Sequence, residues 1–420
     1  MKTGDRSALV PKLRFPEFRN APGWTTLNGD TLFKPINNRG AAPALPVLAI
    51  TQEHGAIPRD QIDYHVSVTA ESVAGYKEVC EGDFIISLRS FQGGIEYSRY
   101  HGICSPAYVI LRKKGDENDH FFRYLFKSER FIQQLTRNIE GIRDGKMISY
   151  AQFSEQLLPV PGPPEQQKIA DCLGSLDDLI AAEGRKLEAL QQHKQGLMQQ
   201  LFVPPGETVP RLRFPEFRDA REWTPHKFGD FVVRSFYGTS APTAETGKYP
   251  VLRMGNMVGG RLDFSNLVYI DLNPQDFEFF RLRRGDIMLN RTNSRDLVGK
   301  VSIFDHDSEC ITASYIVSFR LDENQIDPWF CNLMLNAPMY QWRIKLLATP
   351  SISQANINPT TFKTGLDIVI PKPAEQRQIA ACLSSLDDML AAQSQKTERL
   401  KAHKQGLLQQ LFPSSEDVSR

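Results

Sequence analysis

The stretch PPEQQKIADCLGSLDDLIAAEGRKLEALQQHKQGLMQQLF, residues 163–202, returns at residues 373–412 as PAEQRQIAACLSSLDDMLAAQSQKTERLKAHKQGLLQQLF. Apolar residues recur in each copy at alternating steps of four and three, which predicts a helix with one narrow apolar seam. The first seam is Ile169, Leu173, Leu176, Ile180, Leu187, Leu190, Leu197 and Leu201; the second is Ile379, Leu383, Leu386, Leu390, Leu400, Leu407 and Leu411. Pro163 and Pro164 open the first helix and Pro204 and Pro205 close it, with Pro373 and Pro413 in the same places in the second. Glu165 and Glu375 fall in the first turn, at the positive end of the helix dipole. Each helix should run about 38 residues, roughly 57 Å.

A single seam needs a partner, and each helix offers the other one. Glu183 and Lys194 interrupt the first seam, Gln393 and Lys404 the second. Buried polar positions of this kind set register and direction. A parallel, in-register pair would oppose Lys194 and Lys404, whereas an antiparallel pair puts Glu183 near Lys404 and Lys194 near Gln393. The expectation is therefore an antiparallel pair.

The repeat extends beyond the helices. LRFPEFR occupies residues 13–19 and again 212–218, followed by Trp24 and Trp223 and then by Gly29-Asp30 and Gly229-Asp230. A period of about 200 residues is too long for a solenoid, so one unit has been duplicated. The expected organisation is a globular domain over 1–158, a helix over 159–204, a second globular domain over 205–368, a second helix over 369–413 and a tail over 414–420.

Inside the globular regions, short β-like runs (GDFIISL at 82–88, PAYVILR at 106–112, GDIMLN at 285–290, ASYIVSFR at 313–320) alternate with helical segments at 119–137 and 327–347. The fold class is thus α/β (α+β): two similar domains joined by two long helices forming an antiparallel coiled coil, with a pseudo-two-fold relation. The scaffold repeats while the inserts differ, which implies two different targets.

Polar loops follow the internal strands. LRSFQGGIEYSRYHG carries Arg89, Ser90, Gln92 and Arg99, and NRTNSRDLVGK carries Arg291, Asn293, Ser294, Arg295 and Lys300. Two later loops add Arg143 and Lys146, and Ser353, Gln354 and Asn356. Arginine and lysine suit guanine edges or phosphates, asparagine and glutamine suit adenine, and glycine permits close backbone approach. These residues are the candidate DNA contacts. Tyr97, Tyr100 and Tyr150 read as packing residues.

Composition limits the alternatives. Hydrophobic residues make up 41% and charged residues 24%, a globular balance, and a formal charge of +1 argues against an acidic DNA mimic. No long apolar run suggests a membrane span or a signal peptide, so a cytoplasmic protein is expected. The six cysteines lack metal-ligand or redox spacing and read as buried thiols. No NPPY-type base pocket, phosphate-binding glycine-lysine loop, HExxH helix or GxSxG elbow occurs. NPTTF at 358–362 keeps only the asparagine, the first proline and the aromatic of the first of these. His193 and His403, at equivalent helix sites, suggest packing or partner contact. Neither catalysis nor a metal site is expected in this chain.

Taken together, the twice-written LRFPEF…W, the strand entries Gly82-Asp83-Phe84 and Gly285-Asp286-Ile287, the SQANIN loop at 353–358 and the P…EQ…IA…L…LD helix starts resemble the specificity subunits of type I restriction-modification systems. The resemblance implies two target-recognition domains, each reading half of an interrupted double-stranded DNA site. It also implies two adenine methyltransferase subunits as partners and restriction-translocase subunits beyond them. S-adenosylmethionine would belong to the methyltransferase, and ATP with Mg²⁺ to the restriction subunit. The first half has DGKMISYAQF where the second has its SQANIN loop, so contacts do not transfer between halves. Two other readings stay open at this stage: the recognition fragment of a fused methyltransferase-nuclease, and a coiled-coil scaffold that binds protein.

Overall fold

Arg14 and Arg213 explain why LRFPEF is written twice in the computed structural model, which describes residues 9–39, 45–62, 73, 75–137, 148–204, 206–350 and 354–413. The Arg14 guanidinium donates through Nε and Nη2 to both oxygens of Glu165, at 2.8 and 2.7 Å, and to the carbonyls of Ala21 and Pro22. Arg213 does the same to Glu375, at 2.7 Å twice, and to the carbonyls of Ala220 and Arg221. Both pairs are almost completely buried. A bidentate pair out of water holds only one geometry, so each locks a long helix to the segment preceding its own globular domain.

The glutamine beside each glutamate has a matching job. Gln166 Nε2 donates to the Pro161 carbonyl while its Oε1 accepts the N–H of Asn118. Gln376 does this with Pro371 and Asp327. Asn118 and Asp327 are in turn the N-caps of the helices Asp119–Leu125 and Pro328–Asn336. The EQ pair thus fastens strand end, domain helix and long helix at one point.

The chain packs as two units. One comprises the residues up to Gly184 together with those from Gln395 on; the other is Arg185–Ser394. The division falls inside both long helices, so each unit holds part of each.

In the first unit a four-stranded antiparallel sheet has the order Phe33–Ile36, Val109–Lys113, Phe84–Ile86, Glu96–Tyr97, and Thr25–Asn28 pairs with Leu157–Val160. The second unit repeats this with Val232–Tyr237, Ile316–Leu321, Ile287–Asn290, Val301–Ile303, and with Thr224–Lys227 against Asp367–Ile370. The GD entries close the turn before the central strand of each sheet. Gly82 and Gly285 have φ of 89° and 92°, the left-handed region that favours glycine. Asp83 and Asp286 are buried, cap a backbone N–H, and accept two hydrogen bonds each from Arg112 and Arg320 on the neighbouring strand.

The cores are aromatic. Phe412, the last helical repeat's phenylalanine, packs on Trp24 and Phe121 in the first unit, and Phe202 packs on Phe330, itself against Trp223, in the second. All are buried.

Both long helices, Pro163–Leu201 and Pro373–Leu411, are 39 residues long and start at the prolines. Their pairing is antiparallel within each unit. In the first, Asp177 meets Lys404 and Glu183 meets Lys396 at 2.6 Å; in the second, Lys194 meets Asp387 at 2.6 Å while Met198 and Leu201 join the cluster that holds Ile379 and Leu383. Direction is as expected, but the partners are not. Lys404 and Lys194 pair with the aspartates of the repeated SLDD rather than with Glu183 and Gln393. A slide of about one heptad keeps the apolar seams matched while giving each lysine a carboxylate. Ile169, Leu173, Leu201, Ile379, Leu383 and Leu411 are buried, whereas Leu176, Ile180, Leu187, Leu190, Leu197, Leu386, Leu390, Leu400 and Leu407 are half-buried. Met198 and Leu408, off the expected seam, are buried as well.

Cys104, Cys310 and Cys331 are buried thiols as expected, whereas Cys80, Cys172 and Cys382 are only half-buried; all six are free. Among the described residues no helix is long and apolar enough to cross a membrane.

Candidate nucleic-acid interface

In the second unit, two loops that are distant in sequence become one surface. Thr292–Asn293 pairs antiparallel with Ala355–Ile357, which also pairs with Ala348–Pro350, giving a three-stranded sheet with Asn356 opposite Thr292. The backbone of Arg291 is pinned on both sides: its N–H donates to the Tyr315 carbonyl at 3.1 Å and its carbonyl accepts from Ile357 at 2.8 Å.

The Arg291 side chain is also held. Its guanidinium carbon lies 5.4 Å from the centre of the Tyr237 ring, a cation–π contact, and Nη2 donates to Asn356 Oδ1 at 3.3 Å. Nε is buried and meets no acceptor among the described residues. The guanidinium plane is therefore fixed before any ligand arrives, which lowers the entropy lost on forming a bidentate contact.

Asn293 accepts the Ser294 N–H through Oδ1, and its Nδ2 lies 3.1 Å from Met254 Sδ, a weak acceptor. Ser294 and Arg295 are exposed in the turn that follows, Gln354, just before the facing strand, and Asn356 on it are exposed, and Lys300 is half-buried. Gly299, with φ of 85°, closes this loop against Ile344, which a Cβ would approach to 2.7 Å.

Tyr237 and Lys363 belong to this face and were not among the expected residues. Val233, Ser235 and Tyr237 alternate outward along the edge strand Val232–Tyr237, and Lys363 Nζ reaches Ser235 Oγ at 3.4 Å. The run FVVRSFY has apolar residues at both parities, so its outward face cannot be read from periodicity.

The first unit presents a different arrangement. Residues Ser90–Gly93 form a single helical turn rather than an extended loop, with Arg89 and Gln92 exposed. Ser90 points inward: it is 1% exposed and its Oγ accepts the Ser87 N–H at 2.9 Å. Its hydroxyl closes the turn, which removes it from the candidate surface. Arg99 is exposed beside Tyr100 and lines a cleft of about 850 Å³ with Arg123, Tyr124, Lys127 and Lys404. Glu96 and Lys127, also in that cleft, pair at 2.5 Å; burial pushes the Glu96 carboxyl up and pulls the Lys127 ammonium down.

Tyr97 packs on Phe84 and Tyr150 donates to the Phe33 carbonyl, both as the packing reading expects, while Tyr100 lies at the surface, its hydroxyl 3.4 Å from Gln61 Oε1. Arg143, Lys146 and Ser353 lie outside the described residues. His193 and His403 are exposed, so they do not pack within this chain. Asn358 of NPTTF is the N-cap of Pro359–Gly365 and accepts the N–H groups of Thr360 and Thr361.

Comparison with known proteins gives this architecture a family. The chain matches the family model for the type I restriction modification DNA specificity domain twice, over residues 29–192 and 221–402. It is 30% identical to the putative type I restriction enzyme MjaX specificity subunit of Methanocaldococcus jannaschii over 166 residues, which spans 39% of each chain. It is 24% identical to the MjaVIII specificity subunit of the same organism over 349 residues, 80% of this chain and 79% of that one. The fold is similar to the crystal structure of a type I restriction-modification system S subunit from M. genitalium, with a TM-score of 0.56 at 15% identity, covering 97% of this chain and 100% of that one. With both repeats matched across most of its length, the chain belongs to the type I restriction modification DNA specificity domain family.

Proposed function

We propose that this chain is the DNA-sequence-specificity subunit of a type I restriction-modification complex, each globular region reading one half of an interrupted duplex site. The observation that carries the reading is the meeting of Arg291 and Asn356, from segments distant in sequence, at one three-stranded sheet, with the arginine held ready by Tyr237 and Asn356. Arginine paired to guanine O6 and N7, and asparagine paired to adenine N6 and N7, are the side-chain contacts that carry most sequence information in the major groove. Half-buried Lys363 and exposed Arg295 supply charge for neighbouring phosphates.

The chain acts as a reader and carries no chemistry of its own. Its partners are two methyltransferase subunits, which bring S-adenosylmethionine, and restriction subunits, which bring ATP and Mg²⁺. It works in the cytoplasm, where these partners and DNA meet. Exposed Leu179 with His403 in the first unit, and exposed Met389 with His193 in the second, each suit contact with a protein partner.

The test is to express the chain with its cognate methyltransferase subunit in a host without other adenine methylation and to sequence the methylome. One bipartite motif is expected, absent when either protein is omitted. Methyl transfer by the purified chain alone would overturn the non-catalytic reading, and failure to co-purify with a methyltransferase would overturn the adaptor reading.

A further inference from the structure

Away from both long helices, the first unit has a two-stranded ribbon in which Lys77–Val79 pairs antiparallel with Gly102–Cys104, Val79 standing opposite Gly102. Continuing that register by one residue sets Cys80 opposite His101, and the two-residue period of a strand puts Glu78 on the same face. The side chains converge accordingly. A ring nitrogen of His101, Cys80 Sγ and a carboxylate oxygen of Glu78 lie within 4.8 Å of one another, and His101 Nε2 is 2.8 Å from Glu78 Oε1.

We propose that Glu78, Cys80 and His101 form a binding site for a zinc-class divalent cation, with thiolate, imidazole and carboxylate as three ligands. An isolated glutamate–histidine ion pair would need only two of these groups. The thiol is what sets the cation class, since sulfur and imidazole select zinc, cobalt or cadmium over magnesium and calcium.

The backbone around the cluster is already held. The Cys80 N–H donates to Asp83 Oδ2 at 2.8 Å, within the glycine–aspartate turn, and the Glu78 N–H donates to the Asn38 carbonyl at 2.9 Å. The Asn38 side chain also reaches the Glu78 carboxylate, which His101 contacts from across the ribbon. Arg112 lies within hydrogen-bonding reach of Cys80 while both oxygens of Asp83 bind its guanidinium.

Metal binding would replace the proton now shared by His101 and Glu78. Zinc bonds of about 2.0–2.3 Å require these two groups to separate by only about half an ångström. His101 is about half exposed, which leaves the cation a way in and a water-accessible fourth position. Since His101 follows Arg99 and Tyr100, a bound ion would anchor the end of that loop. None of this depends on the DNA-reading role.

The test is titration of the full, reduced, tag-free chain with Co²⁺. Visible d–d bands with a thiolate-to-cobalt charge-transfer band are expected, and one equivalent of Zn²⁺ should erase them. Cys80→Ser should remove the charge-transfer band, His101→Ala should weaken binding at least tenfold, and the double variant Cys172→Ser/Cys382→Ser should bind as wild type does. Zn²⁺ should also raise the melting temperature of the wild type but not that of His101→Ala, whose exposed side chain can be lost without unfolding. No charge-transfer band, or one that survives in Cys80→Ser, would overturn the proposal.

Discussion

Arg213 and Glu375 form a bidentate ion pair, both contacts at 2.7 Å, between the second LRFPEF segment and the first turn of the second long helix. Trp223 Nε1 also faces this carboxylate, at 3.3 Å. Because both charges are buried, losing one strands the other. Glu375→Ala should lower the unfolding free energy by about 3–5 kcal/mol, whereas Arg213→Met combined with Glu375→Leu should recover much of it. Urea denaturation of the three proteins decides the matter, and equal losses in single and double variants would refute the pairing.

The helix register gives a second prediction. Lys194 and Asp387 are mostly buried against each other at 2.6 Å. Lys194→Glu should destabilise the second unit, and adding Asp387→Lys should restore stability, with a coupling of roughly 0.5–3 kcal/mol in a double-mutant cycle. Asp387→Asn and Gln393→Ala should behave differently, only the former coupling to Lys194. Coupling of Lys194 to Gln393 instead would mean the pair had slipped by a heptad.

For base reading, Arg291→Ala should relax one position of the methylated motif, a lost bidentate contact costing about 1–3 kcal/mol of discrimination. Tyr237→Ala should produce a weaker form of the same relaxation, because it orients Arg291 rather than replacing it. Lys363→Ala should weaken binding to all sequences alike and flatten its salt dependence. Methylome sequencing and salt-dependent binding assays separate these outcomes. An unaltered motif in Arg291→Ala would show that this loop does not read bases.

Thiol reactivity follows from burial. Desolvation pushes the Cys104 thiol up to about 12 and raises Cys310 and Cys331 as well. Since the thiolate is the reactive form, these three stay protonated and inert at pH 8. A thiol-titrating disulfide reagent should react readily with Cys80 and Cys382 in the native protein, more slowly with half-buried Cys172, whose thiol burial also raises, and with all six only after denaturation. Rapid native labelling of Cys104, detected by peptide mass mapping, would contradict the packing of the first sheet.

The duplication was legible in the sequence itself, and the placement of both long helices and their antiparallel direction were legible there as expectations. Those features are carried by a repeat, by an apolar period and by the sign of a few charges, all of which are local or pairwise properties of the chain. The functions of the repeated motifs were less legible. Glu165 and Glu375 read as dipole-favouring residues, but their main partners are Arg14 and Arg213, more than 150 residues away in the chain.

Only the tertiary structure decided the register of the helix pair, because a slide of about one heptad keeps the apolar seams matched and changes the partners of Lys194 and Lys404 from Gln393 and Glu183 to Asp387 and Asp177. It alone brought Arg291 against Asn356, added Tyr237 to the same face and turned Ser90 inward. A period states which side of a strand or helix is buried. It does not state what lies against that side, since the partner is chosen by packing between segments that the chain order keeps far apart.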